Sequence, residues 1–182
     1  MFEERKINPE LLKQYREQGY WKNETLLDCW ERAAAQYPDR EYVVDDRGYR
    51  YTYREMDEAA GRVASYLLWL GIRPGEVVSY QLPIWSEFAM LTIACYKIGA
   101  VAHPIAMSYE EKELARSLNV TESRCYFGPT FFYKTDYEER ILAVRDQVPL
   151  LKDVVLIDSV RERKSNVPLL REILASCDLL TK

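Results

Sequence analysis

The sequence predicts an α/β fold: a doubly wound, mainly parallel sheet flanked by helices, with an N-terminal helical and β-hairpin appendage. Three observations carry this. Short strand-like runs start at Val77, Val101, Cys125 and Val154, spaced 24, 24 and 29 residues apart. Helical patterns fill the gaps between them, and strand–helix–strand at this spacing implies parallel strands joined by right-handed crossovers. The runs are also mostly apolar rather than alternating, as in a sheet covered on both faces. A chain of 182 residues is about one domain long. It can bury roughly 70% of its unfolded surface without staples.

The elements follow in order. Asn8 can cap a helix whose first residue is Pro9, with Leu11, Leu12 and Tyr15 on one face and Gly19 as its stop. Thr25 can cap the next, because Asp28 then falls in the first turn and suits the helix dipole; Pro38 ends it. Residues 41–45 and 49–53 read as a hairpin turning at Asp46-Arg47-Gly48. Thr52-x-x-Glu55 is a capping box that opens a helix running to about Leu70, with Met56, Ala59, Ala60, Val63, Ala64, Leu67 and Leu70 on one apolar stripe. The alternation then begins. Strands are expected at Val77–Leu82, Val101–Ile105, Cys125–Gly128 and Val154–Asp158. Helices are expected at Ser86–Ile98, Tyr109–Leu118, Asp136–Gln147 and Val167–Ala175. Ser86–Ile98 is apolar on most faces and should be buried on two sides. Glu138-Glu139 reads as a solvated helix face and Arg161–Asn166 as a solvated loop.

Composition removes several classes of function. Hydrophobic residues make up 48% and charged residues 30%, a globular balance. The longest near-apolar stretch, Phe88–Ile105, is broken by Lys97, His103 and Pro104, so no membrane span of ~20 residues can be written. A net charge of −4 gives no basic surface for nucleic acid. Without a signal pattern in residues 1–25, a cytoplasmic address is the default. The 7 glycines never cluster, so neither a Walker loop nor a dinucleotide fingerprint is present. A single histidine, His103, excludes a two-histidine metal site. The 4 cysteines lack Cys-x-x-Cys spacing and read as small buried hydrophobes. Ligands of such sheets bind at strand carboxyl ends near a reversal of strand order, which nominates the loops Pro83–Trp85, Ala106–Tyr109 and Pro129–Lys134.

Several strings then resemble one family. They are Thr52-Tyr53-Arg54-Glu55-Met56-Asp57, Leu70-Gly71-Ile72-Arg73-Pro74-Gly75-Glu76-Val77-Val78, Gln81-Leu82-Pro83 with Glu87-Phe88, and Ala94-Cys95-Tyr96-Lys97-Ile98-Gly99-Ala100-Val101 followed by Pro104. Their order resembles the N-terminal region of the AMP-forming acyl-CoA synthetases, aryl-acid ligases and luciferases. Tyr15-Arg16-x-x-Gly19-x-Trp21 and Thr25-Leu26 look most like the short- or medium-chain acyl-CoA synthetase and aryl-acid ligase branches. The likeness covers about residues 10 to 158.

This resemblance implies a parent that uses ATP and Mg²⁺ to turn a carboxylic acid into an acyl-adenylate, then passes the acyl group to coenzyme A. It makes Lys97 a candidate contact for a CoA phosphate and puts Ser108 in a loop near the CoA entrance. Lys97 also has a structural reading as a helix C-terminal charge complementing the dipole. The glycines or proline often seen in the Ser108 loop are missing. The family's triphosphate loop, which must offset developing charge, its Mg²⁺ and ribose carboxylates and its late lysine all follow the segment present here. The chain is therefore expected to be a framework piece without catalytic residues of its own and without tight cofactor binding. Residues 1–40 would be a helical segment packing on the lobe, and 41–182 the first part of the large N-terminal lobe. Its partners would be the remaining lobes and, for the parent, the acid substrate. Alternatives are an aryl-acid ligase fragment, a standalone non-catalytic α/β interaction module, or a flavodoxin-like nucleotide binder. Loss of neighbouring lobes should bare apolar surface on the sheet or on Ser86–Ile98, through which copies would self-associate.

Overall fold

The computed structural model describes residues 8–177. Its first elements are helices α1 (Pro9–Glu17) and α2 (Leu26–Gln36), the hairpin β1 (Glu41–Val44) and β2 (Arg50–Thr52), and helix α3 (Tyr53–Trp69). The alternating part holds β3 (Val77–Tyr80), α4 (Ser86–Ile98), β4 (Val101–Pro104), α5 (Glu111–Val120) and β5 (Cys125–Pro129). A small hairpin follows, β6 (Phe131–Phe132) and β7 (Thr135–Asp136), then α6 (Tyr137–Val144), β8 (Asp153–Ile157) and α7 (Leu170–Ser176).

The main sheet is parallel throughout, in the order β4-β3-β5-β8. The chain enters at β3, steps out to β4, then crosses back over β3 to β5 and β8. The reversal of winding between β3 and β5 is the switch point at which doubly wound sheets place ligands. It also puts the crossover helix α4 and the crossover helices α5 and α6 on opposite faces. Residues of α3, α4 and α7 share one core, with Met56, Val63, Leu67, Met90 and Leu91 at 0% exposure. Residues of α5 and α6 build the other, around Leu114, Leu118, Ile141 and Tyr126. Each large side chain sealed this way is worth about 1.5–3 kcal/mol of transfer free energy.

Local chemistry sets the boundaries. Thr25 with Asp28 and Thr52 with Glu55 both form complete capping boxes, side chain and backbone satisfying each other. Gly99 closes α4 at φ +68°, and a Cβ there would lie 3.3 Å from Pro74 Cβ. Glycine is thus demanded twice, by handedness and by space. On edge strand β4, Val101 N–H donates to Glu76 O and Ile105 N–H to Tyr80 O, so odd-numbered residues face β3. Ala102 and Pro104 face outward, where proline has no N–H to leave unpaired. At the opposite edge the Leu156 N–H donates to Pro168 O, which covers β8.

Some expectations need correction. The helix expected at Tyr109–Leu118 runs Glu111–Val120, because Glu110 is the cap residue, not a helical one. The last helix starts at Leu170 rather than Val167, since residues 167–169 lie along β8 as an isolated bridge. Pro129–Lys134 is not a plain loop: it carries the β6–β7 hairpin. Glu138 is not solvated; it is 2% exposed and accepts the backbone N–H groups of Lys164 and Ser165. Cys29 is exposed, and only Cys95 and Cys125 are fully buried. Helix α4 is sandwiched with α2 and α3, and the sheet faces are covered, so neither is the open apolar surface expected there. Helix α1 buries no residue, while α2 anchors through Trp30.

Candidate functional site

At the carboxyl rim of the sheet an open cleft of about 480 Å³ is lined by Asp46, Arg47, Tyr49, Trp85, Phe131, Phe132, Tyr133 and Asp158–Val160. Four elements converge there: the β1–β2 turn, the loop after β3, the β6–β7 hairpin and the segment after β8. Two of the three nominated loops therefore meet.

Asp45 organises the near wall. One carboxylate oxygen accepts the N–H groups of Arg47 (3.0 Å) and Tyr49 (3.1 Å), fixing the turn. The other accepts the Ser86 hydroxyl (3.1 Å) and Arg47 Nη2 (2.8 Å), tying that turn to the start of α4. Burial pushes this carboxyl up, but the hydrogen bonds from Arg47, Ser86 and Tyr49 outweigh it and hold it below the ordinary carboxylate range. Arg47 also pairs with Glu87. Its guanidinium lies 4.0 Å from the Trp85 ring centroid and 4.9 Å from that of Tyr49. The Trp85 indole N–H is buried with no hydrogen-bond partner. On the far wall Arg161 stacks on Phe131 at 3.6 Å. Ser159 Oγ accepts the Phe131 N–H at 3.0 Å, pinning the hairpin to the segment after β8.

The third nominated loop, Ala106–Tyr109, does not line the cleft. Side-chain donors hold its carbonyls instead. Buried Gln81 Nε2 donates to Ala106 O (2.8 Å) and Tyr109 O (3.0 Å), Tyr137 OH to Met107 O (2.9 Å), and Arg140 to Tyr109 O (3.0 Å). This bracing does the work that glycine or proline would do in a loop of fixed shape. Ser108 stands exposed at its tip. Lys97 sits at the other end of the sheet, because α4 runs antiparallel to the strands. Its ammonium is 2.8 Å from Asp57, whose carboxylate also accepts the Trp30 indole N–H. The structure thus separates the two candidate CoA contacts rather than bringing them together.

His103 belongs to a buried relay of hydroxyls. The Thr121 hydroxyl donates to Ser117 O, so Ser123 must donate to Thr121, and Ser79 to Ser123. His103 Nδ1–H is left to donate to Ser79 Oγ at 2.8 Å, which fixes the neutral tautomer. Desolvation by burial lowers its pKa. The buried thiols of Cys95 and Cys125 are poor nucleophiles, since burial pushes Cys95 up to about 12 and Cys125 also upward.

The sequence reading missed Arg47 and Ser159 as site formers, and it nominated Pro129–Lys134 only as a loop, without its hairpin. Arg47 was visible only as a turn residue, and nothing in Phe131-Phe132-Tyr133 signals a tight hairpin. Among the described residues no three His, Cys, Asp or Glu side chains gather to hold a metal ion. No glycine-rich turn offers clustered amides to phosphate, and Lys97 is already engaged. These residues do not by themselves fit Mg²⁺-ATP.

A parallel sheet wound both ways, with a cleft at its carboxyl rim, defines a doubly wound α/β lobe with its candidate site where such folds place ligands. A family model for AMP-binding enzymes matches residues 30–172, and the chain belongs to that family. It is 38% identical over 167 residues to the medium-chain fatty-acid–CoA ligase of Escherichia coli K12, covering 92% of this chain and 30% of the relative. It is 29% identical over 153 residues to the 2,3-dihydroxybenzoate-AMP ligase of Bacillus subtilis 168, covering 84% of this chain and 28% of the relative. The apo structure of MbtA from Mycobacterium smegmatis superposes with a TM-score of 0.81 at 24% identity, over 97% of this chain and 32% of the other. The chain thus spans about 30% of the length of these relatives.

Proposed function

We propose that this chain is the first part of the large lobe of an AMP-forming acyl-CoA synthetase. The complete enzyme would use ATP and Mg²⁺ to make an acyl-adenylate and then a CoA thioester. The observation that carries the reading is the match along 92% of this chain to a medium-chain fatty-acid–CoA ligase three times its length. An aryl-acid ligase is the second reading, favoured by the 29% identity to the dihydroxybenzoate ligase. In either case the chain supplies framework, and the N-terminal helical segment packs on the lobe through Trp30 of α2. Taken alone it releases no pyrophosphate from Mg²⁺-ATP with any acid of a panel from acetate to decanoate and benzoate. Acid-dependent pyrophosphate release would refute the framework role. In the complete enzyme, Lys97 and Ser108 are assigned to CoA contact. Lys97→Ala and Ser108→Ala there should raise the KM for CoA and leave adenylate formation unchanged. Unchanged CoA kinetics would remove both assignments.

A further inference from the structure

We propose that Gln81 is a positioning residue for the thioester-forming half of the complete enzyme's reaction: its buried amide fixes the shape of the Ala106–Tyr109 loop, which carries Ser108 toward coenzyme A. The inference rests on the proposed assignment of Ser108 to CoA contact. It adds the residue that holds Ser108 in place.

Gln81 follows β3 directly, at the reversal of strand order, and its N–H extends the ladder by donating to Phe127 O at 2.9 Å. The residue is 0% exposed. A buried amide costs free energy unless its donors and its acceptor are all paired. Both Nε2 hydrogens go to the loop, at 2.8 Å to Ala106 O and 3.0 Å to Tyr109 O, while Oε1 accepts the Tyr126 hydroxyl at 3.1 Å. Tyr126 is itself 0% exposed, so the amide is locked in orientation from behind.

The network serves the surface rather than the core. Ala106, Ser108 and Tyr109 are exposed, and water could satisfy the carbonyls of a surface loop. Side chains from two elements reach them instead. Besides Gln81, Tyr137 OH donates to Met107 O at 2.9 Å and Arg140 Nη1 to Tyr109 O at 3.0 Å, both from α6. Arg140 lies 5.0 Å from the Tyr137 ring centroid and pairs with Glu111 in the first turn of α5, so the brace continues into the next helix. An apolar side chain at position 81 would fill the same space without burying an amide. A fully satisfied buried network rigidifies what it touches. A group that meets a substrate gains from such support, because a misplacement of about 1 Å can cost 10²-fold in rate.

The complete enzyme tests this through its two half-reactions, together with hydrogen exchange of residues 106–110 read by mass spectrometry. Gln81→Met keeps the bulk and removes both donors. It should speed exchange in the loop and raise the KM for CoA about fivefold or more, with adenylate formation unchanged. Tyr137→Phe keeps the ring and removes only the donor to Met107 O, so it stands in should Gln81→Met fail to fold; it should move both readouts the same way. Thr52→Ala removes the capping box of α3 and lowers stability, but should move neither. Unchanged loop exchange in Gln81→Met overturns the brace. A KM shift in Thr52→Ala equal to that in Gln81→Met reduces Gln81 to a stability role and overturns the proposal too. Faster exchange with an unchanged KM for CoA also overturns it, and Ser108→Ala then locates the fault. If that variant raises the KM, the loop still meets CoA and only the part given to Gln81 is wrong; if it does not, the assignment of the loop to CoA has failed. An enzyme that makes adenylate but no CoA thioester would overturn the CoA reading and this inference with it.

Discussion

Gly128 in β5 tests how tightly the sheet is packed around one ring. Its backbone is ordinary for a strand, so the demand for glycine is purely steric. A Cβ at this position would lie 2.6 Å from the Tyr126 hydroxyl oxygen and 2.7 Å from its Cε1. Tyr126 is 0% exposed and donates to Gln81 Oε1 at 3.1 Å, while Gln81 Nε2 holds the loop after β4. The ring therefore cannot swing aside without breaking a buried bond and loosening a braced loop. Overpacking costs about 1–3 kcal/mol, and the lost hydrogen bond adds about 1. Gly128→Ala should thus cost about 2–4 kcal/mol, a fall of about 5–15 °C in Tm at this chain length. Thermal and urea unfolding followed by circular dichroism would read it. A second substitution identifies the cause: in a Tyr126→Leu background the same Gly128→Ala change should cost less than about 0.5 kcal/mol, because neighbours couple only through their contact. A Gly128→Ala chain melting within about 1 °C of the parent would show slack around the ring that the 0% exposure denies, and the steric reasoning would fail.

Further outcomes can be stated. The fold favours neutral His103, whose pKa lies below the ordinary 6.5 because of desolvation. Its contribution is present above about pH 6.5 and is lost as pH falls through the lowered value. The parent should lose more unfolding free energy than His103→Gln between pH 7 and about pH 5; equal losses would dismiss the histidine. Glu138→Gln places an amide against the Lys164 and Ser165 N–H groups now accepted at 2.7–3.0 Å. It should cost about 1.5–3 kcal/mol and speed hydrogen exchange at those two amides; unchanged exchange would show that the loop holds itself. Lys97→Met should cost about 1 kcal/mol or less, since Asp57 is partly solvated, and a far larger loss in urea melts would mark the pair as more central than its exposure implies. Asp45→Ala should free Arg47 and Ser86 together and destabilise the chain by about 3 kcal/mol, seen as a lower urea midpoint; an unchanged midpoint would mean that the turn is fixed without it.

Where a signal was local, the sequence displayed it. The Thr25 cap, the Thr52 capping box and the bounds of Ser86–Ile98 could all be read because each depends on residues within one turn. The parallel sheet was legible through spacing, since crossovers need a helix of limited length. Glu138 was misread because its partners are the backbone amides of residues 164 and 165, more than 20 positions away, and no side-chain pattern announces a backbone donor. The cleft was only half visible for a similar reason. Pro83–Trp85 and Pro129–Lys134 could be nominated from strand ends. That the Asp46-Arg47-Gly48 turn joins them depends on the Asp45–Ser86 bond, which couples two stretches 41 residues apart. The ordered family strings carried further than any single contact, and the match over residues 30–172 bore out the family they pointed to.

Strand β5 divides its loyalties residue by residue. Cys125 and Phe127 point into the layer built by α3 and α4, and Tyr126 into the layer of α5 and α6. Adding or deleting one amino acid here would exchange the two sets, driving a phenol into a space shaped for a thiol and emptying the opposite side. Such length changes should be intolerable in this central segment, whereas Glu162 or Asn166, in the irregular connection between β8 and α7, could gain a neighbour with little effect. A library of single-codon insertions would trace that contrast as a map of survival along the chain.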